Sequence, residues 1–280
     1  MKEKMKKALV ILAGLFVIVN GIVACGNNGG DAGAGLNGTI TLNGSTSMNK
    51  LANALKEGYM AVNQGVTVNV EFTGSGTGIQ AAIDGTADIG NSSRALKDEE
   101  ISAGLVENIV AIDGIAIIAN EDVTVADVSS EQLAQIYKGE IKNWKELGGQ
   151  DAPIVVVGRE SGSGTRGAFE ELLKVEDECA YAQEIDSTGG VLSTVANTPG
   201  AIGYISLDVI DDSVNVMAID GVAASEETIV AGDYKLSRPF VMATKGAIEE
   251  QSELVKSFFA YIESEEGQEI IKQVGLILPE

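Results

Sequence analysis

IVVVGRESGSGTRGAFEELL, running from Ile154 to Leu173, passes from a β-branched run through a glycine and hydroxyl segment into an amphipathic stretch. Ile154 to Val157 predicts a strand and Thr165 to Leu173 a helix. Between them stand Arg159 and the turn Ser161-Gly162-Ser163-Gly164-Thr165. The same passage occurs twice more, at Gly44-Ser45-Thr46-Ser47 and at Gly74-Ser75-Gly76-Thr77-Gly78. Strands running directly into helices argue for an α/β architecture with largely parallel strands.

Outward from these turns the pattern continues. Strands are expected at Thr39 to Asn43, Val66 to Thr73, Ile89 to Gly90, Ile109 to Ile118, Ile202 to Ile205, Val214 to Ala218 and Phe240 to Thr244. Helices are expected at Met48 to Val62, Gly78 to Asp84, Ser130 to Tyr137, Ser187 to Asn197 and Ser252 to Ser264. Val110 to Asn120 is long and almost wholly apolar, as suits a strand that leaves one lobe for another, and Tyr234 to Thr244 suits the return.

Each hydroxyl-rich turn ends where a helix exposes N–H groups without intrahelical partners, which together carry roughly half a positive charge. Glycine lets backbone amides approach a ligand, and serine and threonine add O–H donors. None of the three turns contains a carboxylate. One copy reads first as an N-cap. Three copies, each richer in donors than a cap requires, read as an anion site. Arg159 brings a planar fork of donors to the third turn, the alternative being a surface ion pair.

Other chemistries fit poorly. Gly158 to Thr165 resembles a nucleotide P-loop, yet five residues separate its outer glycines and no lysine precedes Thr165. Ser47-Met48-Asn49-Lys50 has the Ser-x-x-Lys spacing of penicillin-recognising acyl enzymes without their accompanying motifs. The 280 residues include no histidine, which removes the commonest general base and metal ligand. Asp98-Glu99-Glu100 and Asp211-Asp212 read as solvated turns and helix faces. No catalytic group, metal site or cofactor is expected.

The first 24 residues read as an export signal: Lys2, Lys4, Lys6 and Lys7 precede an apolar run from Ala8 to Val19. That run is shorter than the about 20 residues a membrane span needs. Ile22-Val23-Ala24-Cys25 resembles a bacterial lipobox, with Cys25 as the lipidated residue. Residues 25–38 form a glycine-rich tether. Cys179 then has no disulfide partner and reads as a packed thiol. The net charge is −22. Because the leader is itself basic, the exported part is more acidic still. Nucleic-acid binding is excluded on that ground, and any anion is held by local geometry against the overall field.

Four blocks in order now resemble the PstS-type phosphate-binding proteins of ABC importers, within the two-lobed periplasmic-binding-protein-like class, type II. They are Asn43 to Ser47, Gly74 to Gly78, Ala87 to Arg94, and Gly158 to Arg166. The resemblance covers the chain from about Thr39 onward and implies a ligand cleft between lobes joined by two crossing strands. It implies one lobe formed by residues 39–115 and 236–280 and another formed by 116–235. Phosphate contacts would fall on Thr46, Ser47, Ser75, Ser93, Arg159, Ser163, Gly164 and Thr165. The implied partners are inorganic phosphate, membrane permease subunits and, through Cys25, the extracytoplasmic face of the membrane.

Where the best-known relatives carry an aspartate that accepts the proton of hydrogen phosphate, this chain has Ser93, followed by Arg94. Glu160 and Asp88 are the candidate substitutes. A site without a fixed negative acceptor discriminates less against sulfate, so sulfate or molybdate is the near alternative. A serine acyl hydrolase using Ser47 or Ser163 is the distant one.

Overall fold

The strand Ile109–Ala119 serves two different neighbours in turn. Its first part pairs antiparallel with Ser237–Lys245, with Gly114 opposite Ser237 and Ile109 opposite Val241. Its second part pairs antiparallel with Ala201–Ser206, with Ile115 opposite Ser206 and Ala119 opposite Ile202. The apolar core divides near the same place. Val110 and Ala111 pack with Ile40, Leu42, Leu51, Leu55 and Phe258, whereas Ile115 and Ile117 pack with Trp144, Phe169, Ile202 and Tyr204. This is the mixed α/β two-lobed fold of the periplasmic-binding-protein-like class, seen in a computed structural model that describes residues 35–279.

From edge to edge the sheet runs Val66–Phe72, Gly38–Gly44, Ile89–Ser92, Ser237–Lys245, Ile109–Ala119, Ala201–Ser206, Val155–Arg159 and Gln183–Ile185. Pairing is parallel within each flank and antiparallel across the centre. The expectation of largely parallel strands therefore fails at the middle. A chain that crosses from one body to another and returns beside itself must run in opposite directions on the two passes.

All the expected strands and helices occur, with shifted ends. The most consequential shift is in the second helix, which spans Ser75–Asp84 and so begins three residues before the expected Gly78, placing Ser75 in its first turn. Elements that were not anticipated are short or strongly charged: helices Asp98–Ser102, Glu226–Val230 and Glu265–Gln273, and strands Leu105–Val106, Asp127–Val128 and Gln183–Ile185. The helix Asn49–Val62 buries Leu51, Ala52, Leu55 and Tyr59 on one face. Tyr59 meets Phe258 edge to face at 5.1 Å between ring centroids. Leu51, Leu55 and Phe258, fully buried, each contribute roughly 1.5–3 kcal/mol.

The expected signal, the expected lipidation at Cys25 and the expected tether fall, up to residue 34, outside the described residues. Strand structure begins at Gly38, and Leu36 already packs against the first core. Among the described residues no helix is long and apolar enough to cross a membrane.

Polar groups gather under the crossing strands. Arg238 faces Asp113 across the strand pair, with Nη2 to Oδ2 at 2.8 Å and both side chains buried. Burial pushes the Asp113 carboxyl up despite Arg238. Asp208 lies close by. Burial first, then the Asp113 charge, pushes its pKa up to about 6 from an ordinary 3.8. In the interval between those values the folded chain keeps a proton that the unfolded chain has lost. Stability contributed by this group is thus full below the unfolded value and declines as pH rises through the folded one. Asp208→Asn is expected to flatten the pH 4–6 limb of the stability profile and to exceed the parent above it, by at most roughly 3 kcal/mol. Urea unfolding across that range measures the effect.

Candidate functional site

Strand Gly38–Gly44 ends at a glycine with φ of +146°. A Cβ on Gly44 would stand 2.1 Å from the Asn91 carbonyl oxygen, so only glycine fits this corner. Its own carbonyl accepts the N–H groups of Thr73 and Gly74, both at 2.9 Å. The first two hydroxyl-rich turns are thereby stitched side by side. Ser45 then caps the short 3-10 helix Thr46–Met48, its Oγ accepting from the Ser47 N–H. In the other lobe Ser163 caps helix Gly164–Leu173, its Oγ accepting from the Arg166 N–H. Capping and site formation coexist in these turns.

The turns meet across the cleft. Ser47 Oγ lies 2.7 Å from Thr165 Oγ1 and 3.0 Å from Thr188 Oγ1, and Thr46 Oγ1 lies 3.1 Å from Thr188 Oγ1. On the first lobe Ser45 Oγ donates to Ser93 Oγ at 2.8 Å, and Ser75 Oγ stands 3.4 Å from Ser93 Oγ. Gly164 presses between them: a Cβ there would lie 2.2 Å from Ser75 Oγ and 2.8 Å from Ser93 Oγ. A backbone bond from the Gly76 N–H to the Gly162 carbonyl, 3.0 Å long, also joins the lobes. Ser45, Ser47, Ser75, Ser93, Thr165 and Thr188 are all buried. Six hydroxyl-bearing residues in one buried place form a dense array of donors that no apolar core needs.

Arg159 supplies the charge. It closes the strand Val155–Arg159 and is 2% exposed. Its guanidinium donates from Nε to the Ile185 carbonyl and from Nη2 to the Asp186 carbonyl, each at 3.0 Å. Nη1 donates to Thr188 Oγ1 at 3.2 Å, which sets the cation beside the hydroxyl array. The other three arginines each hold a carboxylate: Arg94 with Glu100, Arg166 with Glu170 and Glu184, Arg238 with Asp113. Arg159 forms no ion pair among the described residues, so its alternative reading as a surface pair is set aside. Burial pulls its pKa below the usual guanidinium value, opposed by the neighbouring Tyr204 and Glu160. A desolvated cation with no ion-paired carboxylate among the described residues favours an anionic guest. Gly164 and Thr165 add N–H groups that their own helix cannot satisfy.

The expected residues are therefore brought together with one qualification. The Ser163 hydroxyl accepts from Arg166 N–H, and no bond links it to the other site hydroxyls. Of the candidate acceptors, Asp88 is exposed, its Oδ2 taking the N–H and O–H of Thr41, so it serves the strand instead. Glu160 stays near: its Oε1 would be 3.2 Å from a Cβ on Gly74, across the cleft. Lys50, the lysine of the acyl-enzyme spacing, turns away from Ser47 and donates to the carbonyls of Asp208 and Val274. Among the described residues no cluster of three or more His, Cys, Asp or Glu is placed to hold a metal.

A family model described as a PBP superfamily domain matches residues 29–266. The chain is 36% identical over 281 residues to the phosphate-binding protein PstS of Bacillus subtilis (strain 168), which spans 96% of this chain and 92% of that protein. It is 30% identical to the phosphate-binding protein PstS of Borreliella burgdorferi, over 85% of this chain and 89% of that one. The chain belongs to the PstS family of the PBP superfamily. Among solved structures, a Clostridium perfringens protein assigned to phosphate ABC transport as substrate-binding protein, with bound phosphate, superposes with a TM-score of 0.83 at 42% identity, covering 87% of this chain and all of that one. An ABC-type phosphate transport receptor of Vibrio cholerae gives 0.74 at 34%, covering 86% of this chain and 100% of that one.

Two residues of this PstS-family site escaped the sequence reading. Thr188 bonds Thr46, Ser47 and Arg159 from the start of helix Thr188–Asn197. Ser187-Thr188-Gly189-Gly190 is a fourth hydroxyl and glycine helix start, but no apolar run precedes it as one precedes the other three. Ser45 lay inside a quoted turn, but nothing local distinguishes its inward hydroxyl from that of Thr46.

Proposed function

We propose that this chain captures inorganic phosphate in the cleft and hands it to the permease subunits of an ABC importer. The observation that carries this reading is the buried guanidinium of Arg159, without a carboxylate partner among the described residues and adjacent to hydroxyls from both lobes. The contacting set is Thr46, Ser47, Ser75, Ser93, Arg159, Gly164, Thr165 and Thr188, with Ser163 organising the helix start. Residues 39–115 with 236–280 form one moving body and 116–235 the other. The ion meets one body first and is enclosed as they rotate about the crossing strands. Closure excludes water and strengthens every donor contact.

The protein acts as a receptor and not as an acyl hydrolase. Among the described residues Ser47 Oγ hydrogen-bonds only to threonine hydroxyls, and the chain has no histidine to activate it. Residues 1–24 direct export, and lipid on Cys25 holds the body at the extracytoplasmic face within reach of the importer.

Titration calorimetry with phosphate and sulfate in parallel tests the ligand. Phosphate is expected to bind tightly and sulfate more weakly, with a narrower margin than a carboxylate acceptor would give, because Ser93 offers only a hydroxyl lone pair to the phosphate proton. Heat with sulfate and none with phosphate would reassign the receptor to another tetrahedral oxyanion. No heat with either would remove anion capture altogether.

A further inference from the structure

The guanidinium of Arg159 is useful only if its backbone is held at the right height at the end of its strand. On one edge Gln183–Ile185 does this, with Arg159 opposite Ile185, but on the other edge the neighbouring strand stops short. Pairing between Val155–Arg159 and Ala201–Ser206 covers only Val155 opposite Ala201 and Val156 opposite Ile202. Beyond that point the two strands diverge, and the Arg159 N–H meets the phenol of Tyr204 instead, at 3.1 Å. The Arg159 carbonyl accepts from Nη1 of Arg166 at 3.0 Å. The backbone N–H and carbonyl of Arg159 are thus both met by side chains.

Both grips are themselves fixed. Tyr204 is fully buried and stacks on Phe169 with 4.1 Å between centroids and 18° between planes. Arg166 donates from Nε to Glu170 at 2.8 Å and from Nη1 to Glu184 at 3.0 Å, and it lies over the Tyr181 ring at 4.8 Å. The Tyr181 hydroxyl donates to the same Glu170 oxygen at 2.8 Å and stands 3.2 Å from the Tyr204 hydroxyl. Arg166 also belongs to the helix whose first residues are Gly164 and Thr165, its N–H capped by Ser163. One side chain therefore ties the helix start to the arginine strand.

We propose that Arg166 and Tyr204 are positioning residues for the anion site: they hold the Arg159 backbone N–H and carbonyl so that the strand-borne guanidinium and the helix start at Gly164 keep a fixed spacing around the ion. Arg166 does not touch the ion. Its Nε and Nη1 are committed to Glu170, Glu184 and the Arg159 carbonyl, and it lines the open groove beside Arg94 and Lys97. The proposal rests on the reading of the cleft as a phosphate site. It adds that affinity depends on a network outside the contacting set.

Calorimetry with inorganic phosphate on Tyr204→Phe, Arg166→Met and Arg166→Lys, each alone and in an Arg159→Lys background, tests this, with a thermal melt of every variant as folding control. Tyr204→Phe deletes one oxygen and leaves a buried N–H unpartnered, and its affinity is expected to fall on the order of tenfold. Arg166→Lys is expected to lose about as much as Arg166→Met, because an ammonium keeps the charge without the planar fork. In the Arg159→Lys background the same changes should cost less than about twofold, the signature of residues acting through one another. Wild-type affinity in Tyr204→Phe, full rescue by Arg166→Lys, or losses that multiply in the double variants would overturn the positioning role alone. Failure of the unsubstituted chain to bind phosphate would overturn the functional reading and this proposal with it.

Discussion

Arg159→Ala is expected to lower phosphate affinity roughly 100- to 1,000-fold, the loss of one or two charge-assisted hydrogen bonds in a water-poor site. Its stability signature should be equally telling. Removing the guanidinium frees the carbonyls of Ile185 and Asp186 and the hydroxyl of Thr188, but it also removes a buried charge that has no carboxylate partner among the described residues. Those terms oppose one another, so the melting temperature without phosphate should move little. The parent should gain stability in proportion to the logarithm of phosphate concentration over its dissociation constant, and the variant should gain almost none. Melts at increasing phosphate, beside calorimetry, measure both. A variant that still rises with phosphate as the parent does would show that the anion is held elsewhere.

The second large effect belongs to the crossing strands. Arg238→Ala strands the Asp113 carboxylate in a fully buried position, which should cost on the order of 3–5 kcal/mol near neutral pH. The sign of its pH dependence follows from the raised Asp113 pKa. Without Arg238 that value rises further, so at low pH the folded carboxyl stays neutral and the penalty is small. As pH climbs from the unfolded value toward the folded one, the penalty grows. Urea unfolding at acid and alkaline pH should reveal a variant nearly as stable as the parent in acid and much weaker in base. Replacing both partners with apolar residues, as in Asp113→Leu with Arg238→Met, should recover most of the loss. A uniform loss at every pH, or no recovery in the double variant, would refute the assignment of the cost to an uncompensated charge.

Much of the site was legible in the chain because its donors come from local patterns. Strand, glycine-hydroxyl turn and helix are contiguous in sequence, and the turn residues Thr46, Ser47, Ser75 and Thr165 follow directly. Arg159 was legible for the same reason, standing two residues beyond an apolar run. Thr188 was missed although its turn has the same composition, because its strand Gln183–Ile185 is only three residues long and gives no apolar run to mark the approach. Tyr204 and Arg166 had no local signal as supports of Arg159. A tyrosine inside an apolar strand reads as core until another strand end is found against its hydroxyl.

By itself the sequence determined the α/β class, the helix starts that carry unpaired N–H groups, the absence of histidine chemistry and the arginine available to an anion. All of these rest on side-chain period, backbone capping and residue type, which act within a few positions along the chain. Only the tertiary structure decided that hydroxyls from residues 45, 47, 75, 93, 165 and 188 occupy one buried place, that Asp88 faces away while Glu160 stays near, and that Arg159 alone of the arginines has no ion-paired carboxylate among the described residues. Those outcomes depend on strand order and on the antiparallel crossing at Ile109–Ala119. Convergence of distant segments is set by how sheets pair and lobes close, and no short window of sequence contains that information.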